Sequence, residues 1–338
     1  MPPRLPLAFL HSRSRRLPAL LAVAAAVACA PPPDVPLFDL AHAGPRTVGV
    51  RTLSFVDAAR NRTLVSEVWY PASGGGTPEY QEGLAANTFR DADPLGGRFP
   101  LVLFSHAMQS YRLQSYFLCA RLASEGYLVV APDHPGTTED TWDPANLQPA
   151  LTLQPQDLSF LLDVLPADAL VGPRADFGRV AAIGHSLGAY TVLAAGAGHA
   201  KNGVARDPRI RAVVALEAPL FKEPLAALPP TLMTSATLDS VTPVANQAPN
   251  YADASSPKIH LTFLGGSHLA PASNWCSINE TAECNPPYLV SLDQYEAVNR
   301  FTIDWLRFVL DGDAPAHGRL AAGAGEYATI LQVESRGL

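Results

Sequence analysis

The chain has 338 residues, of which 48% are hydrophobic and only 16% charged, and its formal net charge is −7. This length and balance suit one large globular domain, or at most two. The low charge content excludes a charge-rich disordered protein, and the acidic balance argues against a nucleic-acid binder, which needs a basic surface.

The first 29 residues have the layout of a secretory signal peptide. Arg13, Arg15 and Arg16 form a cationic region, and the apolar run Leu17–Ala28 follows them. This run is too short for an ordinary membrane-spanning helix. The small residues before Cys29 resemble the site at which bacterial lipoproteins are cut and lipidated on the new N-terminal Cys. We therefore expect export, with three outcomes left open: lipidation of Cys29 as a membrane tether, cleavage without a lipid, or an uncleaved anchor.

Residues 30–46, rich in Pro and Ala, are predicted to be a linker that precedes a single domain over residues 47–338. Export permits disulfide bonds. Cys276 and Cys284 lie in one polar, turn-rich stretch, so we expect a local disulfide between them, with two free thiols as the alternative. Cys119 lies in an apolar helical pattern and is expected to be buried and unreactive.

Strand and helix patterns alternate from Thr47 onward. The predicted strands share β-branched or continuous apolar residues: Thr47–Val56, Leu64–Tyr70, Leu101–Ser105, Tyr127–Ala131, Arg179–Ile183, Ile210–Leu216, Thr231–Thr237 and Lys258–Leu264. The predicted helices share apolar residues on one face or helix start and stop signals: Gln114–Ser124, Pro155–Leu165, Leu187–Ala197 and Leu292–Leu310. This alternation predicts an α/β fold with a mostly parallel central sheet of about eight strands, flanked by helices. Ligands on such sheets bind beyond the carboxyl ends of the strands.

A candidate nucleophile lies between a predicted strand and a predicted helix. The segment Gly184-His185-Ser186-Leu187-Gly188 has the form G-x-S-x-G. In this context the motif is typical of a tight turn that exposes a Ser hydroxyl to a base, with Gly where a side chain would collide. Ser186 is therefore the predicted nucleophile.

Two later strands supply the candidate partners of Ser186. Such a nucleophile is followed along the chain by an acid and then by a His, each at the end of a later strand. Asp239 and His268 stand at those places. His268 is the predicted base, and Asp239 is predicted to orient it. The alternative is that Asp239 only caps a turn, with Glu217 as the reserve acid.

A tetrahedral intermediate needs two N–H donors aimed at its oxygen. The first is predicted to be the backbone N–H of Leu187, directly after the nucleophile. The second is expected from the loop after the strand Leu101–Ser105, where we choose Met108, with Ala107 as the alternative. His106, in the same loop, is expected to have a structural role.

Longer stretches of the chain resemble known protein families. Residues 99–106 (FPLVLFSH) and 122–134 (LASEGYLVVAPDH) are similar to the platelet-activating factor acetylhydrolase and dienelactone hydrolase-like branch of the α/β-hydrolase superfamily. Residues 239–244 (DSVTPV), 265–271 (GGSHLAP) and 305–309 (WLRFV) resemble bacterial cutinases and polyester hydrolases. Together the matching stretches span roughly residues 98–312.

The resemblance implies the α/β-hydrolase fold and carboxylic-ester hydrolysis, and it carries over the three candidate catalytic residues and the two amides. Three departures stand out. Ala107 and Ala189 occupy positions at which these families usually have Gly. Glu217-Ala218-Pro219 lies where polyester hydrolases carry a Trp that stacks on the substrate, which argues against plastic or cutin hydrolysis.

The expected substrate is a lipid, short-acyl or polymer ester. The segment between the strands that end at Leu216 and begin at Thr231 has no room for a large helical cap domain, so we expect an open cleft. The loop Cys276–Cys284 would line its rim. Neither a cofactor nor a metal is expected, although Asp133, His134, Glu139 and Asp140 leave calcium as a minor alternative.

Two other functions remain as alternatives. One is a serine peptidase on the same fold. The other is a surface binding protein that keeps the fold without activity, against which the complete set of three candidate catalytic residues argues.

Overall fold

The computed structural model describes residues 44–79, 87–269, 283, 285, 287–288 and 292–338. The predicted signal peptide with Cys29, all but the last three residues of the predicted linker, and Cys276 and Cys284 therefore lie outside the described residues. Among the helices that are described, none combines the length and the apolar character needed to cross a bilayer.

The described residues form one mixed sheet of twelve strands. The strands are β1 Thr47–Asp57, β2 Arg62–Gly74, β3 Thr77–Pro78, β4 Thr88–Arg90, β5 Asp93–Pro94, β6 Phe99–Ser105, β7 Leu128–Pro132, β8 Ala175–His185, β9 Ile210–Leu216, β10 Thr231–Ala236, β11 Lys258–Phe263 and β12 Leu331–Arg336. Their order is β12-β11-β10-β9-β8-β6-β7-β2-β1-β4-β3, and β5 pairs with β2. Strands β6 to β11 pair in parallel, whereas β1 with β2, β2 with β7 and β11 with β12 pair antiparallel. The prediction of about eight strands missed β12 and the short strands β3, β4 and β5.

Six helices lie among the described residues. They are α1 Tyr116–Ser124, α2 Leu147–Val164, α3 Leu187–Ala197, α4 Val244–Asp253, α5 Leu292–Asp311 and α6 Ala314–Ala321. Helix α3 has the predicted bounds and α5 nearly so, while α1 begins two residues later than predicted. Helices α4 and α6 were not predicted.

Helix α2 begins eight residues earlier than predicted, so that Pro155 lies inside the helix and not at its start. A Pro inside a helix has no N–H for the carbonyl four residues earlier, which is that of Leu151. The Tyr190 hydroxyl of α3 lies 3.3 Å from the Leu151 oxygen and donates to it instead. A tertiary contact thus satisfies the group that Pro155 leaves without a helical partner.

The sheet separates two apolar cores, one on each face. Leu101 and Leu103 of β6 pack into the core that contains α2 and α3, and Val102 and Phe104 pack into the core that contains α1 and α5. Successive side chains of a strand point to opposite faces, so a strand covered on both faces needs an unbroken apolar run. This arrangement explains the continuous apolar pattern from which β6 was predicted.

The connection from β9 to β10 is short. Residues 217–230 are all described, and they contain neither a helix nor a strand. The prediction that no large cap domain is inserted here is confirmed, and the carboxyl ends of β8, β9 and β10 stay uncovered by such an insertion.

Candidate active site

Three loops at one edge of the sheet bring the predicted catalytic residues together. Strands β8, β10 and β11 are parallel members of the sheet, and each ends at this edge. Ser186 follows β8, Asp239 lies in the loop after β10, and His268 lies in the loop after β11. Residues that are 82 positions apart in the chain therefore meet because parallel strands present their carboxyl ends on one side.

The backbone at Ser186 is strained. Its φ is 54° and its ψ is −116°, a conformation that residues with a Cβ rarely adopt. The flanking Gly184 and Gly188 have no room for a side chain, because a Cβ would collide with the Gly188 carbonyl in the first case and the Ser105 carbonyl in the second. The turn is therefore tight, and the Ser186 side chain stays partly exposed at its apex.

His268 bridges Ser186 and Asp239 by two hydrogen bonds. Its Nε2 lies 2.9 Å from Ser186 Oγ, and its Nδ1 lies 2.8 Å from Asp239 Oδ2. A carboxylate oxygen can only accept, so Nδ1 carries the proton in the neutral ring, and Nε2 has a free lone pair for the Ser186 hydroxyl. The bond to Asp239 holds the ring in this tautomer, and the ring is only 7% exposed, so little water competes for that bond.

Asp239 is held by more than His268. Its Oδ1 accepts from the backbone N–H groups of Val241 at 2.8 Å and Thr242 at 2.7 Å. The Thr242 hydroxyl lies 2.7 Å from Asp239 Oδ2 and 2.9 Å from the carbonyl oxygen of Glu217, so its hydrogen can donate to either. Burial by itself would raise the pKa of Asp239, but the bonds from His268 and Thr242 outweigh it and lower the pKa below its ordinary value. Asp239 is therefore ionised and fixed.

Glu217, the reserve acid, does not contact His268. Its Oε1 accepts from the Thr234 hydroxyl at 2.8 Å, and its Oε2 lies 3.8 Å from His185 Nε2. Complete burial raises the pKa of Glu217 well above its usual range, and the charge of Asp239 raises it further. Glu217 is thus a neutral acid beneath the site, and the carboxylate that contacts His268 is that of Asp239.

Among Ala107, Met108 and Gln109, in the loop after β6, the N–H of Met108 is available for an oxyanion. The Ala107 N–H donates to Gln114 Oε1 at 2.6 Å, and the Gln109 N–H donates to the Thr137 carbonyl at 2.9 Å. Across the described part of the chain, no acceptor engages the N–H of Met108 between them. This pattern favours Met108 over the alternative donor Ala107. Leu187 is the first residue of α3, so its N–H lies in the first turn, where helical N–H groups lack a carbonyl partner.

A buried polar cluster supports the same loop from behind. His134 Nε2 lies 2.9 Å from Ser105 Oγ, and its Nδ1 lies 2.9 Å from Asp157, which also pairs with Arg62 at 2.6 Å. His106 accepts from the His134 N–H at 3.0 Å, and burial lowers the pKa of His106 to about 3. His106 is completely buried and stays neutral, so it fixes backbone and does not act as the base.

Two of the four residues weighed for calcium, Asp133 and His134, bind protein groups instead. Asp133 pairs with Arg112 at 2.6 Å, and His134 is taken up by the cluster just described. Over the described ranges, no three His, Cys, Asp or Glu side chains converge in a way that would hold a metal ion. Cys119 is completely buried in α1, and burial raises the pKa of its thiol, which keeps the thiol unreactive.

A cavity of about 280 Å³ opens beside the candidate oxyanion donor Met108. It is lined by Ala107, Met108, Gln109, Ser110, Gln114, His185 and Leu269. Apolar side chains are also exposed on the loops of this edge, namely Met108 (39% exposed), Leu220 (36%), Leu238 (39%) and Val241 (58%). The cavity can therefore hold a small acyl or alcohol group beside Met108 and His185, the residue directly before Ser186, and the exposed side chains present an apolar surface around it.

Sequence reasoning missed Gln114 and Thr242, which contact the predicted residues. Gln114 was assigned to the start of α1, but the helix begins at Tyr116, and Gln114 lies in the turn before it. Gln114 stands in no motif, so no local signal could have identified it, whereas Thr242 lies in the stretch 239–244 that resembles polyester hydrolases.

The chain is similar to known hydrolases. A sequence model of the Alpha/beta hydrolase family matches residues 101–333. A bis(hydroxyethyl) terephthalate hydrolase of Streptomyces coelicolor is 27% identical over 255 residues, which cover 74% of this chain and 67% of the relative. The structure of a ferulic acid esterase from Streptomyces cinnamoneus superposes with a TM-score of 0.65 at 22% identity, covering 79% of this chain and 91% of the esterase.

Proposed function

The chain belongs to the alpha/beta hydrolase family, and we propose that it is a serine carboxylic-ester hydrolase in which Ser186, His268 and Asp239 carry the reaction. The predicted fold is confirmed by the family match. The observation that carries the catalytic assignment is the pair of hydrogen bonds from the His268 ring, at 2.9 Å to Ser186 and 2.8 Å to Asp239. A second support is the strained turn that exposes the Ser186 hydroxyl.

In the first half of the reaction, Ser186 Oγ attacks the ester carbonyl while His268 Nε2 takes the hydroxyl proton. Asp239 stabilises the resulting imidazolium through the bond to Nδ1. The carbonyl oxygen becomes an oxyanion, for which the N–H groups of Leu187 and Met108 are the proposed donors. The N-terminus of α3 adds its positive end to this position. Collapse of the intermediate transfers the proton from His268 to the leaving alcohol and leaves the acyl group on Ser186.

In the second half, water repeats the attack on the acyl-enzyme. His268 Nε2 removes a proton from the water, and the same two N–H groups receive the second oxyanion. The carboxylic acid leaves when the proton returns to Ser186 Oγ. Each step uses groups of the chain itself, so the proposal requires no cofactor.

We propose that the ester is apolar and is bound in the open cleft. The cavity of about 280 Å³ admits a short acyl chain or one ring, and the exposed Met108, Leu238 and Val241 offer contact to the rest of a lipid or polymer. The two similar proteins suggest specific probes, namely bis(hydroxyethyl) terephthalate and an alkyl ferulate.

A panel of esters, run on the wild type and on Ser186→Ala, tests the proposal. We expect p-nitrophenyl esters to be hydrolysed with a preference for short acyl chains, and we expect the variant to lose more than about a thousandfold in kcat, because the three side chains act as a unit. A fluorophosphonate probe should label the wild type and not the variant. Equal rates for the two proteins would refute the mechanism.

The same experiment separates the alternatives. A serine peptidase would cleave peptide amides as well as activated esters, so a peptide panel should stay uncleaved under the present proposal. A binding protein without activity would show neither turnover nor labelling of Ser186.

We further propose that the protein is exported, tethered through a lipid on Cys29 or released, and that Cys276 and Cys284 form a disulfide. The basic and apolar layout of residues 1–29 supports the first proposal, and the close spacing of the two Cys supports the second. Metabolic labelling with palmitate, compared between wild type and Cys29→Ala, tests the lipid. Peptide mass mapping with and without reductant tests the disulfide, and two alkylated thiols before reduction would refute it.

A further inference from the structure

Gln114 contacts two segments of the candidate active site at once. It lies in the turn before α1, and its side chain is only 4% exposed. Its Oε1 accepts from the Ala107 N–H at 2.6 Å, within the loop that carries the proposed donor Met108. Its Nε2 lies 2.7 Å from Nδ1 of His185, the residue directly before the nucleophile.

His185 extends these hydrogen bonds to the loop that carries His268. Its Nε2 lies 2.9 Å from the backbone carbonyl oxygen of His268, and the ring is 1% exposed. Three catalytic segments, namely the oxyanion loop, the nucleophile turn and the histidine loop, are therefore joined by two side chains.

Only one arrangement of hydrogens satisfies every donor and acceptor along these hydrogen bonds. The His268 carbonyl can only accept, so His185 carries its proton on Nε2. His185 Nδ1 must then accept, which turns the amide nitrogen of Gln114 toward it. The amide oxygen of Gln114 is left facing the Ala107 N–H, as observed. Burial lowers the pKa of His185 to about 3, and the nearby His268 lowers it further, so the ring stays neutral at ordinary pH.

We propose that Gln114 is a positioning residue of the reaction. It acts through the Ala107 peptide and His185, and it keeps the Met108 N–H and the His268 ring correctly placed around Ser186. The proposal rests on the function proposed above. Gln114 fixes the peptide that carries the Ala107 N–H, and the Gln109 N–H fixes the peptide after Met108. The peptide between them, which carries the Met108 N–H, is also held by its carbonyl, at 2.7 Å from His106 Nδ1, so the direction of the Met108 N–H depends on all three anchors. An oxyanion donor acts only within a narrow range of distance, so loosening one anchor lowers kcat more than it raises KM.

The first test replaces Gln114 with Leu, which keeps the approximate volume and removes both hydrogen bonds. We expect kcat on a p-nitrophenyl ester to fall by about 10- to 100-fold with KM changed by less than about threefold, since one donor is misplaced and not removed. Asn202→Leu is the control. The Asn202 amide also bridges two side chains, since it donates to the Tyr190 hydroxyl at 2.6 Å and accepts from Gln148 at 3.4 Å, but neither partner lies in the active-site loops. Its loss should therefore lower stability and leave kcat within about threefold. A kcat of Gln114→Leu equal to that of the control would overturn the proposal.

The second test, Gln114→Glu, gives a readout that a purely structural role would not produce. One oxygen of Glu can still accept from the Ala107 N–H, but the other faces the lone pair of His185 Nδ1. The connection is restored only when a proton lies between them, on the carboxyl group or on the ring. We therefore expect the ratio of variant to wild-type kcat to rise at least about fivefold from about pH 9 to about pH 6. The ratio cancels the titration of His268 itself, which both proteins share.

The charged and titratable groups that face His185 from neighbouring segments are Glu217 at 3.8 Å, the His268 ring at 4.9 Å between centroids, and Asp239. These groups are unchanged in Gln114→Glu, so a rising ratio reports the new carboxyl group. A ratio that is reduced and flat across the pH range would overturn the proposal even if Gln114→Leu fails to fold.

Failure of this proposal is distinguishable from failure of the proposed function. If the wild type neither hydrolyses esters nor reacts with a fluorophosphonate, the function is wrong. If the wild type is active and Ser186→Ala is not, but both Gln114 variants keep the wild-type kcat at every pH, only the positioning role is wrong.

Discussion

Replacing Asp239 with Asn exchanges one acceptor for a donor opposite two backbone N–H groups and the Nδ1–H of His268. In the structure, Oδ1 accepts from two backbone N–H groups, those of Val241 and Thr242, and Oδ2 accepts from His268 Nδ1. Asn has one oxygen and one NH₂ group for these two places. The Asn oxygen must accept from the Val241 and Thr242 N–H groups, because the opposite orientation would place the NH₂ group against two backbone donors whose directions are fixed. The NH₂ group of the variant therefore faces His268.

This orientation forces His268 into the wrong tautomer. Nδ1 must accept from the new NH₂ group, so the ring proton moves to Nε2, which lies 2.9 Å from Ser186 Oγ. A protonated Nε2 cannot accept the Ser186 proton. When the geometry is otherwise intact, such a change costs about 10⁴ in kcat, which corresponds to about 5 kcal/mol in the activation barrier. We expect that loss for Asp239→Asn, with KM changed little.

The assay is steady-state hydrolysis of a p-nitrophenyl ester, with Glu217→Gln as the matched control. Glu217 is buried and neutral beneath the same site, and Gln has nearly the shape of a protonated Glu, so the control should keep kcat within about threefold. If Asp239→Asn kept more than about a tenth of the wild-type kcat, the tautomer argument would be refuted. A large loss in Glu217→Gln would instead point to Glu217 as the acid in use.

Three further predictions concern stability. Arg62→Leu removes two of the hydrogen bonds that the buried Asp157 carboxylate accepts and leaves Arg60, at 2.9 Å, as its remaining arginine partner, so urea unfolding should show a loss of about 1.5–3 kcal/mol. Arg336→Leu, which breaks an exposed ion pair, should change the midpoint little. Because burial raises the pKa of Glu217 in the folded protein, its ionisation at higher pH destabilises the fold. Glu217→Gln should therefore gain melting temperature relative to wild type as the pH rises above about 4.5, and a constant difference would contradict this sign. Gly188→Ala, whose Cβ meets the Ser105 carbonyl, should lower both stability and kcat, while Gly318→Ala, in open space on α6, should raise the melting temperature and leave kcat unchanged.

The parallel centre of the fold could be predicted because its signals are local. Strand β9 and helix α3 have the bounds that the sequence predicted, since an unbroken apolar run and a Gly-flanked turn need no distant partner to be recognised. The same holds for Ser186, Asp239 and His268, whose order along the chain and positions after strands were sufficient to bring them together.

The elements that were missed depend on distant partners. Pro155 was read as a helix start, and only the Tyr190 hydroxyl on α3 explains how the helix continues through it. Strand β12, Leu331–Arg336, has a mostly polar and exposed sequence, and it is a strand because it pairs with the edge of β11. Helix α4 contains Pro249 and follows Pro243, both of which discourage a helix prediction. Gln114 belongs to the same class, because its partners are 7 and 71 positions away.

At Ser186, the strained backbone that exposes the nucleophile also lowers the stability of the fold. A φ of 54° with a ψ of −116° costs a residue that has a Cβ about 1–3 kcal/mol, whereas Gly adopts it freely. Ser186→Gly would therefore relax the backbone at the same time as it removes the nucleophile. A selection of variants by heat resistance alone would enrich such inactive chains. A screen for more stable variants must therefore measure ester hydrolysis as well as heat resistance.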